Sequence, residues 1–215
     1  MKSVIFDMDG VIFDSEALVL KCWKRIGDKY GLKDIDAIFQ ESIGTNTAET
    51  KEIVMKHYGE DFAYDKFRQE ASRLFHEITK EKGVLVKRGA RELLSYLKVN
   101  GFQIGLASST RIEVVKSELE QVGLLKFFHV VIGGDMVRHS KPHPEIYNRA
   151  CEELDVDPAE TFAIEDSFNG VRSAHGAGLK VIMVPDILQP DEEMENLALE
   201  IFPSLMGVLG YFQNL

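Results

Sequence analysis

The chain has 215 residues, and 25 Lys and Arg set against 35 Asp and Glu leave a formal charge of −10 at pH 7. This length allows one large domain, or a medium one with a smaller insertion, and either buries a full core without a metal or disulfide staple. A content of 45% apolar and 28% charged residues excludes global disorder, and the acidic balance argues against nucleic acid or an anionic membrane as partner, since both require a basic stripe.

Cys22 and Cys151 have neither C-x-x-C spacing nor a nearby His pair, so they read as reduced, partly buried residues of a cytoplasmic protein. Asp7 interrupts the opening apolar run before a signal-peptide core forms, and no later run reaches membrane-spanning length. Neither export nor membrane insertion is expected.

Val4-Ile5-Phe6 is the first short apolar run and predicts a strand. Helix-length segments at 18–30, 48–58 and 64–80 follow with heavy charge alternation and no strand-like run between them. A helix is expected over 88–100, with Leu93, Leu94 and Leu97 on its apolar face and Gly101 as its left-handed stop. After the run Ile104-Gly105-Leu106-Ala107, Thr110 and Glu113 have capping-box spacing and open a helix ending near Gly123. Val130-Val131-Ile132 predicts a third strand. Pro144 then leads a helix that carries Ile146, Tyr147, Ala150 and Leu154 on one face. A brief helical start at Asp157-Pro158 precedes the run Phe162-Ala163-Ile164, and Val181-Ile182-Met183-Val184 is the last strand assigned.

Near-continuous apolar strands alternating with helices predict an α/β fold with a doubly wound, Rossmann-like parallel sheet. Residues 1–15 and 83–215 are expected to form this core, and 16–82 a small all-helical cap inserted after the first strand. Gly83 is a candidate hinge.

Ligands of such sheets bind at the carboxyl ends of the strands. Asp7 and Asp9 follow the first run, Ser108 the second, Lys141 the third by a short loop, and Glu165 and Asp166 the fourth. Asp-Gly alone is a common turn pair, and one hydroxyl of Ser108-Ser109-Thr110 is explained by capping, which assigns the cap to Thr110 and leaves Ser108 free. Taken together, the acids suit a hard divalent cation, while the hydroxyl, the ammonium and backbone N–H groups suit phosphate oxygens.

These residues, in this order, resemble the haloacid dehalogenase superfamily, in its small-capped phosphatase and β-phosphoglucomutase-like branch. Phe6-Asp7-Met8-Asp9-Gly10-Val11 is similar to the first motif, Ala107-Ser108 to the second, Lys141-Pro142 to the third, and Glu165-Asp166-Ser167 with Gly170 to the fourth. The resemblance implies a phosphatase in which Asp7 attacks phosphorus and becomes an aspartyl phosphate, while Asp9 protonates the leaving oxygen and then deprotonates water. It implies Mg²⁺ held by Asp7, the Asp9 carbonyl and Asp166, with Glu165 coordinating directly or through water. It also implies phosphoryl binding by Ser108, Ser109 and Lys141.

Substrate specificity falls to Ser15, Glu16, Val19, Thr45, Asn46 and Thr47, where the cap of this branch meets the rest of the substrate. β-Phosphoglucomutases have a His about where Val19 stands and an Arg about where Thr47 stands, so the expected activity is hydrolysis of a small phosphorylated metabolite, a sugar phosphate, by a monomer. A phosphomutase is the alternative within the family. A dehalogenase would use neither Mg²⁺ nor the second carboxylate. A receiver-like signalling module would carry its phosphate-accepting Asp on a later strand, where this chain has the helical insertion, and a silent binding module would leave every catalytic position filled without use. His57, His76 and Arg73 read as helix-face packing and solvated charge.

Overall fold

The computed structural model describes residues 2–43, 45 and 47–215. Strand β1 (Ser3–Phe6) is followed by α1 (Glu16–Tyr30), α2 (Ile35–Ser42), α3 (Thr47–Tyr58) and α4 (Tyr64–Lys82). The chain then alternates through α5 (Ala90–Val99), β2 (Gln103–Ala107), α6 (Ile112–Gln121), β3 (Val130–Ile132), α7 (Glu145–Leu154), β4 (Thr161–Glu165), α8 (Phe168–Gly176) and β5 (Lys180–Met183). It ends with α9 (Glu192–Leu197), β6 (Glu200–Ile201) and α10 (Leu205–Gln213).

The strands form one six-stranded sheet in the order β3-β2-β1-β4-β5-β6, every pair parallel. Alternation along β1 sorts its side chains between two layers. Val4 and Phe6 join the core built by α5, α6 and α10, through residues such as Leu94, Leu119 and Phe212, while Ile5 joins the opposite core with Ile146, Ala150, Val171 and Met194. The sheet is therefore doubly wound, and β1 sits at its centre with the sequence jumping from β2 on one side to β4 on the other. That reversal opens a crevice beyond the carboxyl ends of the central strands.

The helices α1 to α4 have a core of their own. Trp23 meets Phe39 and Phe67 edge to face at ring-centroid distances of 5.3 Å each, and Ile38, Val54 and Tyr64 are buried with them. The segment entering this helical cap pairs with the segment leaving it: Asp14 N donates to Leu85 O at 2.9 Å, and Lys87 N to Ile12 O at 2.9 Å. Both passages between sheet and cap are thus fastened side by side above the carboxyl end of β1.

Two local expectations change. The capping box at Thr110 does not form: α6 begins after Arg111, and Ile112 N is satisfied instead by Asp135 Oδ1 at 2.8 Å. The sequence also hides α2, β6, α9 and α10. Two-residue β6 is too short for a period-2 signal, and Gly207 and Gly210 weaken the helical signature of α10. Cys22 and Cys151 are free and both are fully buried, beyond the partial burial expected of them. Among the described residues, no helix is long and apolar enough to cross a membrane.

Candidate active site

The end of β1 delivers Asp7 into the crevice, its N–H donating to Ile164 O at 3.0 Å as the last rung toward β4. Met8 points into the core and Asp9 returns toward the crevice, half-buried. Gly10 follows with φ +78°, and a Cβ built there would lie 2.0 Å from Asp166 Oδ2. Only glycine accommodates both the left-handed backbone and the close approach of Asp166. Two hydroxyls fix the Asp9 carboxylate: Ser15 Oγ donates to Oδ1 at 2.7 Å and Thr110 Oγ1 to Oδ2 at 3.0 Å. The Thr110 hydroxyl assigned to a helix cap therefore serves Asp9. Ser108, fully buried, accepts from Thr110 N at 3.0 Å, while its neighbours Ser109 and Thr110 line the crevice.

Lys141 arrives from the loop between β3 and α7 through a cis peptide bond to Pro142. Its buried ammonium donates to Asp7 Oδ1 at 2.6 Å, Glu165 Oε1 at 2.6 Å and Ala107 O at 3.0 Å, which occupies all three of its protons. Glu165 Oε1 also accepts from Tyr147 O–H at 2.6 Å, and Oε2 accepts from Asp166 N at 3.2 Å. Gly170 in α8 packs against this carboxylate, and a Cβ there would come within 2.0 Å of Oε2.

The charges do not balance locally. Carboxylate oxygens of Asp7, Glu165 and Asp166 lie within 4.8 Å of one another, and among the described residues Lys141 is the one cation paired with them, through Asp7 and Glu165. Burial, partly opposed by the Lys141 charge and reinforced by Glu165 and Asp9, pushes the Asp7 carboxyl up to about 7. Asp166 is raised well above its ordinary range, first by burial and then by Glu16 and Asp7. Burial alone would lower the Lys141 ammonium, but the charges of Asp7 and Glu165 outweigh it and hold it above its ordinary value. An all-oxygen set with surplus negative charge fits a hard divalent cation, and Asp7, Glu165 and Asp166 could hold one.

Above this floor lies a half-open cavity of about 480 Å³, walled by residues of the cap and of the sheet loops. Ser15, Glu16 and Val19 reach it from the start of α1, and Thr45 and Thr47 from the passage into α3. Asn46 lies outside the described residues. Arg68 and Ser72, which the sequence does not single out, join His76 on the cavity wall: the three continue from Tyr64 at four-residue intervals and present one stripe of α4 to the cavity. His76 is therefore not confined to packing or solvated charge. Glu118 of α6 also faces the cavity, and burial, with Asp9 nearby, pushes its carboxyl up to about 7.

Paired acids, a buried lysine and hydroxyls thus meet at the switch point of a doubly wound parallel sheet, under a helical cap. Residues 4–184 match the haloacid dehalogenase-like hydrolases, and the chain belongs to that family. It is 33% identical over 186 residues to a phosphorylated carbohydrates phosphatase of Thermotoga maritima, covering 85% of this chain and 84% of that one. A β-phosphoglucomutase of Bacillus subtilis is 29% identical over 86% of this chain and 83% of its own length. The crystal structure of CbbY from Rhodobacter sphaeroides in complex with phosphate superposes with a TM-score of 0.78 at 26% identity, covering 95% of each chain. Family and relatives together make the chain an enzyme of the phosphatase type.

Proposed function

We propose that the enzyme hydrolyses a small phosphorylated sugar through an aspartyl phosphate on Asp7. The observation that carries this reading is the buried Lys141 ammonium at 2.6 Å from Asp7 Oδ1, beside an Asp9 carboxylate oriented by two hydroxyls. A Mg²⁺ ion bound by Asp7, Asp166, the Asp9 carbonyl and Glu165 would supply positive charge to the phosphoryl oxygens. Glu165 is the least available of these, since its two oxygens already accept from Lys141, Tyr147 and Asp166 N–H.

The remaining steps belong to the side chains. Asp7 forms a bond to phosphorus as the bond to the sugar oxygen breaks, and Asp9 gives that oxygen its proton. Asp9 then takes a proton from water as the water attacks phosphorus and the Asp7–phosphorus bond breaks, releasing inorganic phosphate. Lys141 offsets charge between Asp7 and the incoming phosphoryl group, and Ser108 and Ser109 hold its oxygens. In this reading residues 1–15 and 83–215 do the chemistry, while 16–82 close over it and read the sugar. Val19, Thr45 and Thr47 contribute to that surface, together with Arg68, Ser72 and His76. The working form is a cytoplasmic monomer with neither nucleic acid nor membrane as partner.

Hydrolysis is preferred over phosphomutase transfer because Val19 and Thr47 line the cavity where the mutases carry a His and an Arg; Arg68 and His76 on the same wall are the groups that would hold a second phosphate if the mutase reading wins. The test is a phosphate-release screen over sugar phosphates, nucleotides and phosphorylated acids, with and without Mg²⁺. One arm supplies β-glucose 1-phosphate with a trace of glucose 1,6-bisphosphate. Free phosphate as the main product supports hydrolysis; isomerised sugar phosphate dominating at every concentration supports the mutase.

A further inference from the structure

Two buried side-chain oxygens have no hydrogen-bond partner among the described residues: Glu16 Oε2 and Asp186 Oδ2. They lie together. Carboxylate oxygens of Glu16, Asp166 and Asp186 are within 4.8 Å of one another, and Asp166 is shared with the set formed by Asp7 and Glu165. Glu16 is the first residue of α1, Asp166 follows β4 and Asp186 follows β5, so three separate elements converge on this point. Lys87 pairs with Asp186 Oδ1 at 2.6 Å, which leaves one nearby ammonium against three carboxylates.

A buried acceptor without a donor is destabilising, and two in one cluster call for a source of protons. Substrate is a poor source. Glu16 and Asp166 line the catalytic cavity and Asp186 does not, so a sugar hydroxyl in that cavity does not account for all three carboxylates. Water on a cation held by Asp7 and Asp166 has the right chemistry, because its protons are polarised and must find acceptors. Glu16 and Asp186 each bring a carboxylate oxygen close to Asp166, and Glu16 Oε2 and Asp186 Oδ2 accept no hydrogen bond among the described residues.

We propose that Glu16 and Asp186 are positioning residues for the catalytic cation: they accept hydrogen bonds from its hydration water and so raise its affinity. The inference rests on the divalent cation of the proposed function and assigns Glu16 to the cation rather than to sugar selection.

The experiment titrates Mn²⁺ into the metal-free full chain and follows free Mn²⁺ by electron paramagnetic resonance, for wild type, Glu16→Gln and Asp186→Asn. Wild type should bind one equivalent, and each variant should bind one equivalent about tenfold more weakly or worse. Melting in chelator at about pH 8.5 separates this from a structural role: Glu16→Gln there loses a repelling charge and gains an amide donor, so it should melt at or above wild type, whereas Asp186→Asn also gives up its ion pair with Lys87 and is compared by Mn²⁺ affinity alone. Unchanged Mn²⁺ affinity with lower melting in chelator would overturn the proposal. So would two equivalents in wild type falling to one in the variants, which would make the cluster a separate inner site. If wild type binds no Mn²⁺, the cation itself is wrong and the proposal falls with it.

Discussion

Lys141 and Asp7 stand 134 positions apart in the chain and 2.6 Å apart in the fold, both buried, with Glu165 taking a second bond from the same ammonium. Removing one partner of such a group strands the others. Lys141→Ala should abolish turnover and, in metal-free protein, cost about 3 to 5 kcal/mol of unfolding free energy, measured by urea titration in chelator. Turnover within tenfold of wild type would show that Asp7 does not depend on this ammonium.

A gentler perturbation concerns Asp9. Ser15→Ala and Thr110→Val each remove one hydroxyl from its carboxylate without touching Asp7. Each lost charge-assisted bond is worth about 1.5 to 3 kcal/mol, so kcat should fall about tenfold or more per substitution, with KM little changed. The double variant should lose less than the product of the two effects, because both hydroxyls hold one group. Steady-state kinetics on a good substrate decides it. A rise in KM at constant kcat would place Ser15 and Thr110 in substrate binding instead.

The contrast between these two acids shows what the sequence discloses. Strand ends carrying Asp7, Ser108, Lys141 and Asp166 are legible because each follows a short apolar run, and the topology of parallel sheets aims them at one crevice. The partner of Asp9 is not legible in this way. Thr110 three residues before Glu113 has the spacing of a cap, and only the approach of Asp135 to Ile112 N releases its hydroxyl for Asp9. The cap wall is hidden for a different reason. Arg68, Ser72 and His76 form a regular helical stripe, but periodicity cannot say whether a polar stripe faces solvent or a cavity. Asp186 lies beyond the last assigned strand and gains meaning only from the Glu16 and Asp166 carboxylates beside it.

Stability should depend on pH in a way that the cation reverses. Burial first, then neighbouring acids, raise Asp7 from 3.8 to about 7 and Glu16 from 4.5 to about 8. These groups keep protons in the folded chain that the unfolded chain has released. Their contribution is therefore fully present below about pH 4 and is lost as pH rises through about 7 to 8. In chelator, Tm should fall between about pH 6 and pH 8.5, and the rise in Tm on adding Mg²⁺ should be larger at the higher pH, since a cation binds the ionised site. An equal rise at both pH values would contradict the burial of uncompensated carboxylates.

The central claim is that Asp7 carries the phosphoryl group. Enzyme quenched in acid during turnover of a hydrolysed sugar phosphate should give the peptide containing Asp7 with the added mass of one phosphoryl group. The adduct should vanish in Asp7→Asn, which stays folded because the amide is nearly isosteric and turns over no substrate because it is a poor nucleophile. Full hydrolysis by Asp7→Asn, or a phosphoryl group found on a different residue, would contradict the account.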